Sequence, residues 1–433
     1  MENLADKLNQ EPPEILRNLK LIGSIAGELG YPVYVVGGFV RDLLLGVEDY
    51  DLDIVVEGDG IHFAKVLSHR LGVDFIKHKQ FGTATLVAHD KVKVDIATAR
   101  KEVYESPASL PKVTPGTVRD DLARRDFSIN AMAVDISEKG FGRIVDFFKG
   151  REDLKKKIIR LLHPISFIDD PTRILRAIRF EQRFGFAMEL TTRMLLKEAV
   201  HKQMLEKVHK HRLRDELVLL LKEPAVLKCI YRISALCGFA FIHRAMRVDR
   251  KTFHLLAKIQ GAYTWFKEYF PHTHKVELWL LYLMVLLENL DSHTLRSVVR
   301  EFAFRKYEAE AVISYKEEND RISSRLNGSL SPSQAYRFLT PLPYEALLLM
   351  LVKSNERLVV DRIKYFLLVS KGTQIHLNGE ELKALGMIPG PRFKEILQEL
   401  FYAKLDGKFK AKEEELHYLK SKILSKRTYT PGG

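Results

Sequence analysis

The sequence predicts an α+β multidomain protein: an α/β head over roughly the first 150 residues, followed by a mostly α-helical remainder. Three observations carry this. Residues 20–150 alternate strand-like and helical patterns. After about residue 150 the β signal fades, and helical spacing continues to the end. At 433 residues the chain exceeds what one core usually holds, which predicts two to four domains.

The elements follow in order. Residues 13–30 have amphipathic helical spacing and lead into the strand "PVYVVG". "FVRDLLLG" has helical spacing and stops at Gly46, and "DLDIVVEG" is β-rich. "GIHFAKVLSHRLG" is a helix with a glycine stop, and "TATLVAHDKVKVDIAT" reads as two strands around an Asp90-Lys91 turn. Residues 101–120, "KEVYESPASLPKVTPGTVRD", are rich in Pro, Ser and Thr without clear periodicity, so they read as a long functional or mobile loop. Runs such as "RILRAIRFEQRFGF" and "HKVELWLLYLMVLLENL" then keep helical period. The apolar run at 278–287 is about half of what a bilayer span needs and reads as a buried helix. "PGP" at 389–391 marks a turn before a helix, and the run His272-Thr273-His274 reads as a surface loop, not a metal site.

A surplus of 69 Lys and Arg over 56 acidic residues, net +13, favours a polyanionic partner such as nucleic acid. Only two cysteines, Cys229 and Cys237, exclude a disulfide scaffold and a Cys-rich zinc site, and fit a reducing compartment. The N-terminal stretch has no apolar core of a signal peptide. These features predict a cytoplasmic protein with no membrane partner.

The chemistry concentrates in three clusters. The first is "YVVGGFVRDLLLGVEDYDLDIVV", residues 34–56. On a strand, Asp51 and Asp53 share one face and Leu52 and Ile54 the other. Two like charges that close need a cation, and a hard divalent ion with oxygen ligands, Mg²⁺ above all, suits them. Asp95 in "KVKVDIAT" falls on the polar phase of its own strand and becomes a third carboxylate if that strand is a neighbour. Gly37-Gly38 at the strand-to-helix turn allows close approach to a phosphate, and Arg41 adds a charged fork. The alternative for a bare Asp-x-Asp is a solvated sheet face; the glycine turn and Arg41 upstream argue against it.

The second cluster is "ARRDFSINAMAV", residues 123–134, where Arg125 suits a phosphate and Asp126 can accept from a ribose hydroxyl. The third is "DDPTRILRAIRFEQRFGF", residues 169–186. Taking about 100° per residue, Arg173, Arg176, Arg179 and Arg183 fall within about a third of the helix circumference, with Ile174, Leu175 and Ile178 opposite. Asp170 sits one turn before Arg173, so the two offer an acceptor and a donor fork to a base edge. A basic solvated face is the competing reading; four arginines without a lysine favour anion or base recognition.

GG-x₂-RD-LLLG followed by D-x-D, the "RRDFSINAMA" block and "DDPTRILRAIRF" together resemble the class II tRNA nucleotidyltransferases and bacterial poly(A) polymerases. The strong match covers about residues 30–190, and "LNGEELKALGMIPGPRFKEILQEL" resembles the C-terminal tRNA-facing region of bacterial members. The resemblance implies a polymerase-beta-like nucleotidyltransferase head (1–150), a helical nucleotide-recognition neck (151–225), a helical body (226–330) and a helical tRNA-binding tail (331–433). It implies Asp51 and Asp53 as Mg²⁺ ligands and Gly38 and Arg41 at the triphosphate. Arg125 and Asp126 would bind the nucleotide and its ribose. Asp170 and Arg173 would read the incoming base, and Arg176 and Arg179 would complete the pocket. Family members commonly carry Glu-Asp where this chain has Asp169-Asp170. Catalysis by Asp95 rests on strand phase, not on the resemblance.

The implied activity is template-independent addition of CCA, or of the terminal A alone, to tRNA from CTP and ATP. The full-length 101–120 segment argues against CC-only members, which have a shortened loop. "LDIVVEGDGI" and "ATARKEVYESPASLP" are most similar to long bacterial forms with extra N-terminal domains, so the chain reads as a catalytic portion of such a form. Poly(A) polymerase is disfavoured by the short tail "LSKRTYTPGG", and a small-molecule nucleotidyltransferase by the long basic helical remainder. A non-catalytic RNA-binding protein would not need both aspartates, Arg41 and Arg125.

Overall fold

The computed structural model describes residues 3–48, 51–78, 82–89, 92–270 and 276–424. The chain divides into two units, residues 1–244 and 245–433. The expected Asp90-Lys91 turn and the run His272-Thr273-His274 lie outside the described residues.

In the first unit, helices α1 (Ala5–Asn9) and α2 (Pro13–Leu29) precede strand β1 (Val33–Val36), helix α3 (Gly38–Leu45) and strand β2 (Asp51–Val56). α4 (Gly60–Leu71), β3 (Phe75–His78), β4 (Thr83–Val87) and β5 (Lys93–Thr98) follow. Next come β6 (Arg100–Val103), β7 (Lys112–Pro115), α5 (Val118–Ala123), β8 (Ala133–Asp135) and β9 (Ile144–Val145). The seven-stranded sheet has the order β3-β4-β5-β2-β1-β8-β9. β2 and β5 run parallel at its centre, with Asp53 opposite Asp95 and Asp51 opposite Lys93. β1 lies antiparallel on the other side of β2.

Alternation explains the placing of β2. Leu52 and Ile54 are each 1% exposed, whereas Asp51 is exposed and Asp53 half-buried. α2 buries Ile15, Leu19, Ile22, Ile25 and Ala26 at helical spacing. α4 is capped by the Asp59 carboxylate, which accepts from the N–H groups of Ile61 and His62.

Residues 101–120 differ from the expected loop. β6 and β7 pair antiparallel from Arg100–Pro115 to Val103–Lys112, leaving 104–111 as the hairpin tip. Four-residue strands with alternating charges and a proline give too short a pattern to register as β from sequence. α5 then starts with a Thr117–Asp120 capping box. Its Val118 and Leu122 pack with Val36, Val55, Ala131 and Ala133, so the sheet core fixes the helix that carries the chain into Arg124 and Arg125.

Next come α6 (Gly150–Lys156), the four-residue turn α7 (Ser166–Asp169), α8 (Thr172–Phe184), α9 (Leu190–His201), α10 (Lys210–Leu221) and α11 (Val226–Leu236), with Ile158–Ile159 and Ala187–Met188 forming a short parallel pair. α8 packs against both α10 and α11. Cys229 and Cys237 are unpaired thiols that burial pushes up to about 12; Cys229 is a core residue, whereas Cys237 is half-buried.

The second unit is helical throughout its described residues. The apolar run Leu278–Leu287 forms one helix, buried from Trp279 to Leu287 between helices Arg250–Tyr269 and Tyr344–Lys353. A second small core joins Leu382, Ile396, Leu400 and Leu419 around the helix Pro391–Leu405, which begins at the expected Pro-Gly-Pro turn. Among the described residues no helix is long and apolar enough to cross a membrane.

Candidate active site

The register of the parallel pair puts Asp53 beside Asp95, on the face that Asp51 shares. Asp95 does not stand alone there. Its Oδ1 accepts from Thr85 Oγ1 at 2.5 Å, and its Oδ2 takes the Lys93 ammonium at 2.5 Å. The hydrogen bond to Asp95, with the nearby charges of Asp51 and Asp53, holds Lys93 above its usual pKa, against the opposing effect of burial. Lys93 is thus a cation among three carboxylates, a neighbour the sequence reading missed. It stands two residues from Asp95 and directly across from Asp51.

The glycine turn joins this face to the arginines. Gly37 has φ +72°, and a Cβ there would lie 2.5 Å from Arg125 Nη1 and 3.6 Å from Asp53 Oδ2. The positive φ favours glycine, and a Cβ would make the Arg125 guanidinium shift while only touching Asp53. No side chain caps α3, whose first residue is Gly38. The buried Asp121 carboxylate orients Arg125, accepting from its Nη2 at 3.1 Å, and also takes Arg124 at 2.7 Å. Both arginines together hold Asp121 below the usual carboxylate range despite its burial, which acts the other way.

Arg41 is 5% exposed, and its guanidinium is largely used within the protein. Nε and Nη2 donate to Asp42, at 2.9 and 2.6 Å, and Nη1 to Asn130 Oδ1 at 2.6 Å. It also lies over the ring of Phe184, 4.7 Å from the centroid. Arg41 therefore ties α3 to α8 and to the segment after Arg125.

Asp126 is likewise enclosed. Its Oδ1 accepts from Phe127 N and Asn130 Nδ2, and its Oδ2 from Arg176 Nε at 2.8 Å and Nη2 at 2.6 Å. Burial raises the Asp126 pKa, but Arg176 and Asn130 outweigh it and hold the carboxyl at about 2. A folded-state pKa below the unfolded value stabilises above pH ~3.9, and the contribution is lost as pH falls towards about 2. Asp126→Asn is expected to cost about 2 kcal/mol near neutral pH. It should also flatten the pH dependence of the urea midpoint between pH 4 and 2, where wild type should show a slope.

The arginine stripe of α8 meets Glu216 on α10 and Glu223 just past its end. Arg176 Nη1 donates to Glu216 Oε1 at 3.0 Å. Arg179 stands 3.7 Å from Glu216 and 3.5 Å from Glu223, and Arg183 lies 3.8 Å from Glu223. The pattern of the stripe was legible, but its acidic partners lie some forty residues on. Buried Arg179 Nε and Glu216 Oε2 make no hydrogen bond among the described residues, so this ion pair is held by charge and not by a close donor–acceptor contact. At the start of α8, Asp170 Oδ1 accepts from Thr172 N, Thr172 Oγ1 and Arg212 Nη2. Arg173 is 5% exposed and donates to Ser166 Oγ and to the Arg124 carbonyl.

These groups open on one cavity of about 640 Å³. It gathers Gly38, Arg41, Asp53, Arg125, Asp126, Asp170, Arg173, Arg176 and Arg179. Asp51 and Asp95 are not on its wall. Sequence reasoning missed Arg100, Glu102, Tyr104, Arg124, Asn130, Arg212, Asp215 and Glu216 there. Arg124 and Asn130 stood inside a quoted block; Glu102 and Tyr104 lay in the segment read as loop. The wall carries eight arginines against six acidic side chains, so it suits an anion that brings its own cation.

A metal would find hard carboxylate oxygens at Asp51 and Asp53, the donor chemistry of a divalent cation such as Mg²⁺. Among the described residues no group of three or more His, Cys, Asp or Glu side chains is gathered for metal binding. In this arrangement Asp95 serves Thr85 and Lys93.

Residues 33–160 match the family model for the poly A polymerase head domain. The chain is 37% identical over 411 residues to the A-adding tRNA nucleotidyltransferase of Geobacter sulfurreducens, covering 94% of this chain and 47% of that protein. It is 32% identical over 428 residues to the A-adding tRNA nucleotidyltransferase of Halalkalibacterium halodurans, covering 96% and 95%. Among solved structures, the Thermotoga maritima CCA-adding enzyme complexed with tRNA superposes with a TM-score of 0.73 at 34% identity, covering 98% of this chain and 99% of that one. The chain thus spans about half the length of the Geobacter relative and nearly all of the other two.

Proposed function

Because the chain belongs to the class II tRNA nucleotidyltransferase family, we propose that it extends the 3′ end of tRNA with CCA, or with the terminal A alone, from CTP and ATP. The observation that carries this reading is the single cavity that brings Asp53, the glycine turn, Arg125 and the Asp170–Arg173 pair together. The tRNA 3′ hydroxyl attacks the α-phosphorus of the nucleotide, and a phosphodiester forms as the bond to pyrophosphate breaks. No residue becomes covalently attached.

The family is metal-dependent; Asp51 and Asp53, whose hard oxygen donors suit Mg²⁺, would hold the ion, and it would supply charge neutralisation for the phosphates and activation of the attacking hydroxyl. Asp95, beside Asp53 in register, adds negative charge to the same face while holding Lys93 and Thr85. Gly38 and the uncapped start of α3 receive the triphosphate, and Arg125 adds charge beside Gly37. Arg41 braces that turn from below. Asp126 fixes Arg176, and the two set the ribose side of the pocket together with Arg179. Asp170 accepts from the exocyclic amino group of cytosine or adenine, and Arg173 donates to the adjacent ring nitrogen. Uracil and guanine present a carbonyl oxygen where Asp170 needs a donor, so they are rejected.

The rest of the chain serves the tRNA. The chain divides in this reading into head (1–150), neck (151–225), body (226–330) and tail (331–433); the net charge of +13 favours the tRNA backbone, and the two thiols fit a cytoplasmic location. The test is to mix the chain with tRNA lacking its terminal A, ATP and Mg²⁺. One pyrophosphate released per extended end supports the reading; no release with intact tRNA and nucleotide overturns it.

A further inference from the structure

Asp170 is held unevenly. The three hydrogen bonds to its carboxylate fall on Oδ1: Thr172 N at 3.2 Å, Thr172 Oγ1 at 2.6 Å and Arg212 Nη2 at 2.8 Å. The first two come from the start of α8 itself and set the carboxylate as a local cap. The third comes from α10, forty-two residues away, and is charge-assisted. Both side chains of this pair are 18% exposed, so solvent screens it only in part.

Arg212 reaches a third segment. Its Nη1 donates to the carbonyl of Ala108 at 3.5 Å. Ala108 sits at the tip of the β6–β7 hairpin, is buried, and takes φ +62°. Its own N–H donates to the Ile168 carbonyl at 3.1 Å, which seats the tip on α7 just before Asp170. One guanidinium therefore joins the hairpin tip, the carboxylate at the head of α8 and helix α10. The planar fork of arginine can hold two acceptors at fixed angles, which a lysine ammonium cannot.

We propose that Arg212 is a specificity-setting positioning residue, which fixes Asp170 by Oδ1 so that Oδ2 presents a defined acceptor to the incoming base. This rests on the reading of Asp170 as the group that reads the base. Arg212 need not touch the nucleotide. Without it, Thr172 alone orients the carboxylate, and rotation about the Cβ–Cγ bond blurs the acceptor direction. The loss then appears in the choice among nucleotides and in nucleotide KM more than in tRNA binding. The hairpin tip loses one of its two ties at the same time, so nucleotide choice becomes sensitive to substitutions at 104–111.

The experiment measures kcat and KM for each of ATP, CTP, UTP and GTP on a tRNA ending in CC, and the tRNA Kd. The proteins are wild type, Arg212→Met, Arg212→Lys and Asp170→Ala. Arg212→Met should lower the preference for the accepted over the rejected nucleotides by about tenfold or more, mostly through KM, with tRNA Kd unchanged. Arg212→Lys should recover part of the preference, since it restores the charge but not the fork. If Asp170→Ala loses the preference while Arg212→Met and Arg212→Lys both keep it, the role of Arg212 is overturned and the base-reading of Asp170 stands. If Asp170→Ala keeps the preference, base-reading by Asp170 falls and the role of Arg212 falls with it. Should Arg212→Met fail to fold, the Lys variant decides: a wild-type preference there, with wild-type KM, overturns the proposal.

Discussion

Replacing Asp53 with alanine lowers nucleotide addition by about 10³-fold or more, equivalent to about 4 kcal/mol of transition-state stabilisation. The size follows from its position. Asp53 is the one carboxylate of the β2 pair on the cavity wall, and it lies within reach of the Gly37 turn and Arg125. In the proposed mechanism, removing it would take away half of the pair that holds the metal and leave the phosphates beside Arg125 without their cation. The fold should survive, because the residue is half-buried on the polar face of β2 and its strand neighbours Leu52 and Ile54 make the core. The check is a single-turnover assay together with a thermal melt. Lost activity with an unchanged melt is the expected pair of results, and near wild-type activity would remove Asp53 from the chemistry.

Gly37→Ala carries the second large effect, and it acts through two separate costs. The φ of +72° lies outside the comfortable range of alanine, at about 1–3 kcal/mol. The new Cβ would also stand 2.5 Å from Arg125 Nη1, so the guanidinium must leave its place. Displacing it disturbs a group tied to the same Asp121 carboxylate that holds Arg124, whose carbonyl in turn receives Arg173. The disturbance would therefore reach both the end proposed for the phosphates and the end proposed for the base. Nucleotide KM should rise about tenfold or more, with a lower melting temperature. An unchanged KM in a destabilised protein would mean that the turn matters to the fold and not to the nucleotide.

How far the sequence could be read depends on the range of each interaction. The Asp51–Asp53 face was legible because alternation on a strand is a local rule, and the strand phase of Asp95 pointed to its place beside Asp53. Lys93 shares the strand face of Asp95 by the same alternation, so that pair was legible and was passed over; only its place opposite Asp51 depends on the parallel pairing of two strands some forty residues apart. The stripe on α8 was legible as helical spacing. Its burial against Glu216 and Glu223 was not, since nothing in 173–183 encodes what α10 will offer. The same limit hid Arg212, which in "HKHRLRDEL" looks like any charged helical face. The hairpin at 100–115 was lost for a different reason. Its strands are short and charged, and pairing rather than propensity makes them strands.

Arg41 and Asp126 show how a motif can be right about place and silent about partners. Both line the cavity, yet Asp42 and Asn130 occupy the first, and Arg176, Asn130 and the Phe127 N–H the second. Their geometry is that of rigid supports which hold other donors in place. Such preorganisation lets a pocket choose a base without a nucleic-acid template, because the reading groups cannot relax around the wrong partner.

The central claim is that protein side chains select the added nucleotide, and one measurement tests it most directly. Three tRNAs, ending before, within and after the CC sequence, are incubated with each of the four nucleoside triphosphates singly, and the 3′ ends are sequenced. The account predicts that A is added to the CC end and, if the chain also adds C, that C is added only to the shorter ends. UTP and GTP should give no extension on any of them. Extension by all four nucleotides at comparable rates, or runs of A beyond the completed end, would contradict it.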